Sequence, residues 1–287
     1  MIWLIIIFLL ISAVFLYFFI WYKLSKIRGR ITDSPILLMH AVTDEFDLGI
    51  SKLTSTKFKE YMEKTRAGGF VFGCVDKRVE ELKNGKIEDG VIYLTFDDGY
   101  ADFYRLFKEY LEPNSIPAAV FITAGYIGKG AVWDYKPNPP LHLSREELKE
   151  LSQSELITIG AHSISHPELS RVSVEKVREE VVESKKILED ITGKEVKYFS
   201  YPFGRFNDAV IKQLKEAGYQ AAFCGVPHRF NGGDNLFMIP RIPLNLFDNL
   251  FTFTQKTGQG PLYWMQLSRA RVIEQYSCLT YRARGRR

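Results

Sequence analysis

Cysteine is scarce in this 287-residue chain: Cys74, Cys224 and Cys278 are odd in number and form no C-x-x-C pair. Neither a zinc ribbon nor a disulfide framework is indicated, and buried, inert thiols are the expected role for at least two of them. Fixed-period repeats and low-complexity tracts are absent, which excludes solenoids and arrays. Net basic charge is missing from the body of the chain. Lys23, Lys26, Arg28 and Arg30 carry +4 and residues 269–287 carry +5, so of a formal net charge of +4 the stretch 31–268 holds −5. A mildly acidic body argues against a nucleic-acid partner, while either basic end can touch anionic lipid headgroups. For the C-terminal end a solvated tail is the simpler alternative.

Long apolar runs are absent too, with one exception. Ile2 to Tyr22 contains no charged residue, and at about 1.5 Å per helical residue it matches a hydrocarbon core of roughly 30 Å. No basic residue precedes the run and no short A-x-A-like site follows it, so an uncleaved transmembrane anchor is expected in place of a signal peptide. Trp3, Trp21 and Tyr22 fit an interfacial aromatic belt at its ends. The expected organisation is an anchor over 1–22, a basic linker over 23–34, one large domain over 35–260 and a basic tail over 261–287.

Within the domain, short runs rich in β-branched and aromatic residues recur between amphipathic stretches: Ile36–Met39, Val91–Phe96, Ala118–Thr123, Leu156–Ala161, Val196–Tyr201, Gln220–Val226 and Phe237–Leu244. They predict seven strands, with Val71–Val75 as an extra or displaced one. Ser144 and Glu147 form a capping-box pattern, and Gly193 and Gly218 read as helix stops. Strands alternating with helices favour an α/β fold with a parallel sheet, open or closed into a barrel. Loops at strand C-termini carry the sites of such folds, which makes Gly125–Pro140 and Val226–Asp234 candidate walls of a groove. Trp133 and Tyr135 in the first of these can stack on a sugar ring or simply pack the loop down.

Four chemistry-bearing or turn motifs sit where predicted strands end. Asp97 and Asp98 leave an apolar strand just before Gly99, and adjacent carboxylates there need a metal or a shared proton to compensate them; a capping Asp-Asp-Gly turn is the plainer alternative. His162 and His166 follow another strand, and at i and i+4 they lie on one side of a helical turn, within reach of one cation. Tyr201-Pro202-Phe203-Gly204 ends a third strand and His40 the first. Two histidines and one aspartate leave coordination positions open, as a catalytic and not a closed structural ion requires.

At these residues the chain resembles the polysaccharide deacetylases, a carbohydrate esterase family. Thr95-Phe96-Asp97-Asp98-Gly99, His162-x-x-x-His166 and Tyr201-Pro202-Phe203-Gly204 look like its first three motifs, in its order, and the resemblance covers roughly Ile36 to Leu244. It implies a distorted (β/α)7 barrel and metal-dependent removal of N-acetyl, sometimes O-acetyl, groups from amino-sugar or related polysaccharides. Zinc or another divalent transition metal is the implied ion. Carried over, Asp98, His162 and His166 resemble the metal ligands, Asp97 the general base, and Phe203 the residue whose backbone N–H helps bind the oxyanion. Tyr201, Pro202 and Trp133 are the expected substrate contacts.

Two departures stand out. Many members carry an Arg two residues before the motif proline, where this chain has Ser200; Arg241 can supply that charge from the last strand, or be merely structural. The usual C-terminal Leu-x-His, source of the general acid, is missing after residue 244, which points to His40. The context Ile36-Leu-Leu-Met39-His40 is similar to the first strand of the biofilm-type deacetylases of poly-N-acetylglucosamine, although a satisfied structural histidine is the alternative. His142 and His228, in loops, are expected to be non-catalytic.

Three functional readings follow: an extracytoplasmic de-N-acetylase of poly-N-acetylglucosamine or a cell-wall polymer, a deacylase of a lipid-linked amino sugar at the membrane face, and a non-catalytic carbohydrate-binding descendant. The substrate partner is accordingly an N-acetylated polysaccharide or a glycolipid. The expected location is the cell membrane, single-pass, with the domain outside, although the basic residues after the anchor argue for the cytoplasm by the positive-inside rule.

Overall fold

The computed structural model describes residues 12, 34–44, 52–130, 140–225, 236–258, 266 and 269. Trp133, Tyr135 and His228 lie outside the described residues, as do the expected anchor, linker and tail but for single positions. Among the described residues no helix is long and apolar enough to cross a membrane.

The chain enters through β1 (Ile36–Met39), buried along its whole length. A two-residue parallel pair follows, β2 (Ala41–Val42) with β3 (Lys52–Leu53), and then α1 (Ser55–Ala67), β4 (Val71–Gly73) and α2 (Val75–Asn84). Next come β5 (Val91–Phe96), α3 (Asp102–Leu106, continuing as a π-helical turn to Leu111) and β6 (Ala118–Ile122). After α4 (Arg145–Gln153) lie β7 (Ile157–Ala161), α5 (Val174–Thr192) and β8 (Tyr198–Ser200). The described chain closes with α6 (Asp208–Glu216), β9 (Ala221–Cys224), β10 (Ile239–Pro240), β11 (Ile242–Pro243) and α7 (Leu250–Lys256). The capping box forms as expected, with Ser144 Oγ accepting from Glu147 N–H. Gly193, at φ 68°, ends α5.

All sheet pairings are parallel, in the order β10-β9-β8-β7-β6-β5-β1-β11. Only Arg241 separates β10 from β11. The stretch 239–243 thus pairs with β9 through Ile239 and Phe223, and with β1 through Ile242 and Leu37. This brings the two ends of the sheet together into a nearly closed barrel, which satisfies edge groups that an open sheet leaves exposed. The expected single strand over Phe237–Leu244 is therefore two short segments, because it must serve one neighbour and then the other.

The extra strand has its own reason. Tyr93 pairs with Ile36 on one side and Gly73 on the other, so β4 and β6 occupy one edge of β5 in succession. Successive strand residues face opposite sides. One set, including Ile36, Tyr93, Phe121, Tyr198 and Phe223, packs together with α2 residues Val75 and Val79. The alternating set, including Leu37, Leu94 and Val120, packs against Leu148, Val181 and Leu214 of α4, α5 and α6. Because the strands are parallel and laterally paired, their C-terminal ends share one rim.

Candidate active site

Asp97 and Asp98 leave the end of β5 onto that rim. The Asp97 N–H still donates to Met39 O at 2.9 Å, as a strand residue would, and then the chain turns sharply: Asp98 has φ 71° and Gly99 φ 76°. A Cβ at Gly99 would come 3.3 Å from Ile122 Cα, a tight approach, and the positive φ is the stronger reason for glycine in this turn. This turn directs two carboxylates inward that the strand alternation alone would have sent to opposite faces.

His162 and His166 reach the same place differently from expectation. The segment after β7 is not a helical turn but an irregular loop in which Ser163 (φ 65°) and His166 (φ 59°) are left-handed. The Ser163 hydroxyl accepts the His166 N–H at 3.0 Å and closes the loop. His162 Nδ1 lies 2.8 Å from Ser200 O; a carbonyl can only accept, so that nitrogen carries the proton and Nε2 offers a lone pair. The two Nε2 atoms are 3.1 Å apart, and each lies about as far from Asp98 Oδ1, at 3.6 and 3.5 Å.

Asp98 Oδ1 is buried and has no hydrogen-bond partner. Burial, supported by the nearby Asp97 charge and opposed by His162 and a hydrogen bond from Tyr100, pushes the Asp98 carboxyl up to about 6. His166 is held well below its ordinary value, first by burial and then by His162. A cation would answer these features together: it would take the orphaned oxygen as a ligand, bind the imidazoles through neutral nitrogens and offset the buried carboxylate charge. The two-nitrogen, one-oxygen donor set, whose ligand atoms lie within 4.8 Å of one another, fits a transition ion with open positions.

Asp97 is placed alongside, with its nearer oxygen 4.0 Å from His162 Nε2. Arg241, 1% exposed, donates to both its oxygens at 2.7 Å in a bidentate pair. Ser200 Oγ donates to Asp97 Oδ2 at 3.0 Å and accepts from Arg241 at 2.8 Å. Burial alone would raise the Asp97 carboxyl, but the Arg241 charge, the nearby His162 and the Arg241 hydrogen bonds outweigh it and hold the carboxyl far below the usual carboxylate range. The departure at Ser200 and the Arg on the last strand are thus one arrangement: the guanidinium arrives from between β10 and β11, and a small hydroxyl stands in the space left on β8.

His40, one residue past β1, feels the Asp97 and Arg241 charges; burial is the larger influence and lowers its pKa. Its Nδ1 is buried without a hydrogen-bond partner. The Phe203 ring meets His166 edge-on at 4.7 Å, and its backbone is left-handed at φ 59°. Tyr201 departs from expectation: it is 1% exposed, its hydroxyl donates to Phe237 O at 2.9 Å and its ring stacks on Phe206. Pro202 is buried as well. Both support the loop from behind and present little surface to a substrate. His142 is set among Tyr100, Tyr126 and Lys129 O, and carries no ligand position in the cluster. Residues that sequence reasoning passed over are Tyr100, Ser163 and Glu180, whose roles come through backbone and hydroxyl contacts that leave no pattern of their own.

Residues 84–222 match the family model described as polysaccharide deacetylase. The Bacillus subtilis (strain 168) protein YxkH is 25% identical over 209 residues, covering 72% of this chain and 70% of its own. The poly-beta-1,6-N-acetyl-D-glucosamine N-deacetylase of Staphylococcus aureus (strain MSSA476) is 27% identical over 186 residues, and the match spans 62% of each chain. The structure of IcaB from Ammonifex degensii superposes with a TM-score of 0.67 over 79% of this chain and 96% of that one; at 19% identity the likeness is one of fold. Motifs, barrel and matched sequence agree, and residues 84–222 match as a polysaccharide deacetylase domain.

Proposed function

We propose that this protein is a metal-dependent hydrolase that removes N-acetyl groups from an amino-sugar polysaccharide of the poly-N-acetylglucosamine or cell-wall type. The observation that carries the reading is the Asp98–His162–His166 cluster, two of its members buried and His166 partly so, beside an Asp97 clamped by Arg241, all on the C-terminal rim of a parallel barrel. The similarity to an enzyme named for poly-beta-1,6-N-acetyl-D-glucosamine supports the substrate class.

Asp98, His162 and His166 would hold the ion, with zinc the natural choice for this donor set. When bound, such an ion acidifies a coordinated water and polarises an acyl carbonyl. Asp97 accepts the proton of the attacking water at a carboxylate oxygen, and Arg241 with Ser200 fixes that carboxylate in place. The Phe203 N–H is the donor assigned to the developing oxyanion; a backbone donor is indifferent to the ring above it. His40 returns a proton to the departing amine. Burial lowers its pKa, and the proton it gives is the one taken from the water at Asp97, so that the hydrolysis balances. Trp133 is proposed to stack on the sugar, whereas Tyr201 and Pro202 shape the loop that carries Phe203.

A second reading, deacylation of a lipid-linked amino sugar at the membrane face, is favoured by one observation: Lys23, Lys26, Arg28 and Arg30 follow the apolar run and nothing basic precedes it. One assay tests both. The full chain, stripped with a chelator and reloaded with Zn²⁺, is expected to release acetate from β-1,6-linked N-acetylglucosamine oligomers. Release from a lipid-linked N-acetyl sugar alone would select the second reading, and no release from any of them with Zn²⁺ or Co²⁺ would reject the activity.

A further inference from the structure

No helical or strand repeat fixes the segment between the two histidines. Two of its residues, Ser163 and His166, are left-handed without being glycine, a conformation that persists only where the surroundings over-determine it. Glu180 on α5 supplies much of that determination. Wholly buried, it accepts the Ile164 N–H at 2.7 Å and the Ser165 N–H at 2.9 Å on one carboxylate oxygen, and the Ser165 hydroxyl at 2.6 Å on the other. Lys176, one helical turn earlier, lies 3.2 Å from that second oxygen.

From the opposite side, Ala124 and Gly125 N–H groups donate to Ser163 O and Ile164 O, both at 2.9 Å. A Cβ at Gly125 would stand 2.6 Å from Ile164 O, so the two loops touch at backbone distance. The segment is thus gripped between α5 and the chain after β6. A carboxylate withdrawn from water is costly unless hydrogen-bonded. This one directs both oxygens at the loop and is not a member of the ligand cluster.

We infer that Glu180 is a positioning residue for the cation, holding the backbone between His162 and His166 so that their Nε2 atoms face one point before any ion arrives. The inference rests on the metal-site reading above and deepens it. Without the carboxylate, the loop's left-handed residues would relax, and the ion would have to order them on binding. Loss should therefore fall on metal affinity more than on the barrel, which α5 supports through Val177, Val181 and Leu188.

The test is Zn²⁺ affinity by competition with a chromogenic chelator, and the visible spectrum of the Co²⁺ form, on full-length chelator-stripped protein. Glu180→Ala is expected to bind Zn²⁺ roughly 10–100-fold more weakly, as loss of supporting contacts around a metal ligand does, with an altered Co²⁺ spectrum. Glu180→Gln keeps an oxygen that can accept both N–H groups and should stay within about threefold of the parent. A folded Glu180→Ala chain with parental affinity and spectrum would overturn the inference, as would equal loss in the Ala and Gln variants. Should the Ala variant not fold, Glu180→Asp, one methylene short of the loop, decides in the same way. A parent chain that takes up neither ion would overturn the metal-site reading itself, and the inference with it.

Discussion

Two hydrogen bonds of 2.7 Å tie Arg241 to Asp97 where both side chains are almost entirely buried, so each residue's charge depends on the other. Removing one partner of such a pair leaves an uncompensated buried charge, which costs about 3–5 kcal/mol. Arg241→Ala should lose stability of that order in urea denaturation, and Arg241→Lys should recover only part, since an ammonium cannot match the bidentate fork. The neighbouring carboxylates should separate by role. Asp98→Ala is expected to lose the ion, seen by metal analysis of the purified chain, because an open site keeps only two of its protein ligands. Asp97→Asn should keep the ion and lose about 10²–10⁴-fold in rate; near-parental acetate release would reject the base assignment. His40→Ala should fold and retain metal, yet lose far more activity on an N-acetyl sugar than on an activated aryl acetate, whose phenolate leaves without a proton. Equal losses would mean that His40 only shapes the site.

At the level of elements, α3 and the β2–β3 pair meet at Asp102, the first residue of that helix, whose carboxylate accepts the Val42 N–H at 2.6 Å. Burial raises this carboxyl to about 6, against the lowering influence of that N–H and of Arg105 and Lys52. In the unfolded chain it titrates near 3.8. Between these values the folded protein holds a proton that the unfolded chain has released, so folding stability falls as pH rises from about 4 to 6 and stays lower above it. Two pKa units correspond to an effect on the order of 2–3 kcal/mol. Asp102→Asn keeps an acceptor for Val42 and removes the titration. The urea midpoint of this variant should gain on the parent's as pH rises from 4 to 7; parallel curves would show that Asp102 does not titrate in that window. The elements also show how the sequence could be read and where it misled. Apolar runs buried on both faces announced β1, β5 and β6 because strand burial is continuous in a parallel barrel. The i, i+4 spacing of His162 and His166 suggested a helical turn, since that spacing is all a periodicity argument can use. The actual convergence comes from two left-handed residues and a carboxylate on α5, far along the chain.

For the whole molecule, the apolar run at 2–22 carries a proposed membrane attachment, and with it the question of which side the rim faces. We propose the outer side, against the positive-inside pattern, because a polysaccharide substrate lies there. A C-terminal reporter active only outside the cytoplasm should therefore give signal, and signal from a cytoplasm-only reporter would favour the lipid-linked substrate. The identity of the cluster was legible in the sequence, because Asp97-Asp98-Gly99 and the histidine pair each follow an apolar run, and parallel strands deliver their C-terminal ends to one rim whatever the details. The pairing of Arg241 with Asp97 was legible only as an option. It follows from the stretch 239–243 joining β9 to β1, which brings residues 144 positions apart to 2.7 Å. Local sequence determined the chemistry available at each strand end. Tertiary structure alone decided which charge meets which, because ring closure, not proximity along the chain, sets those distances.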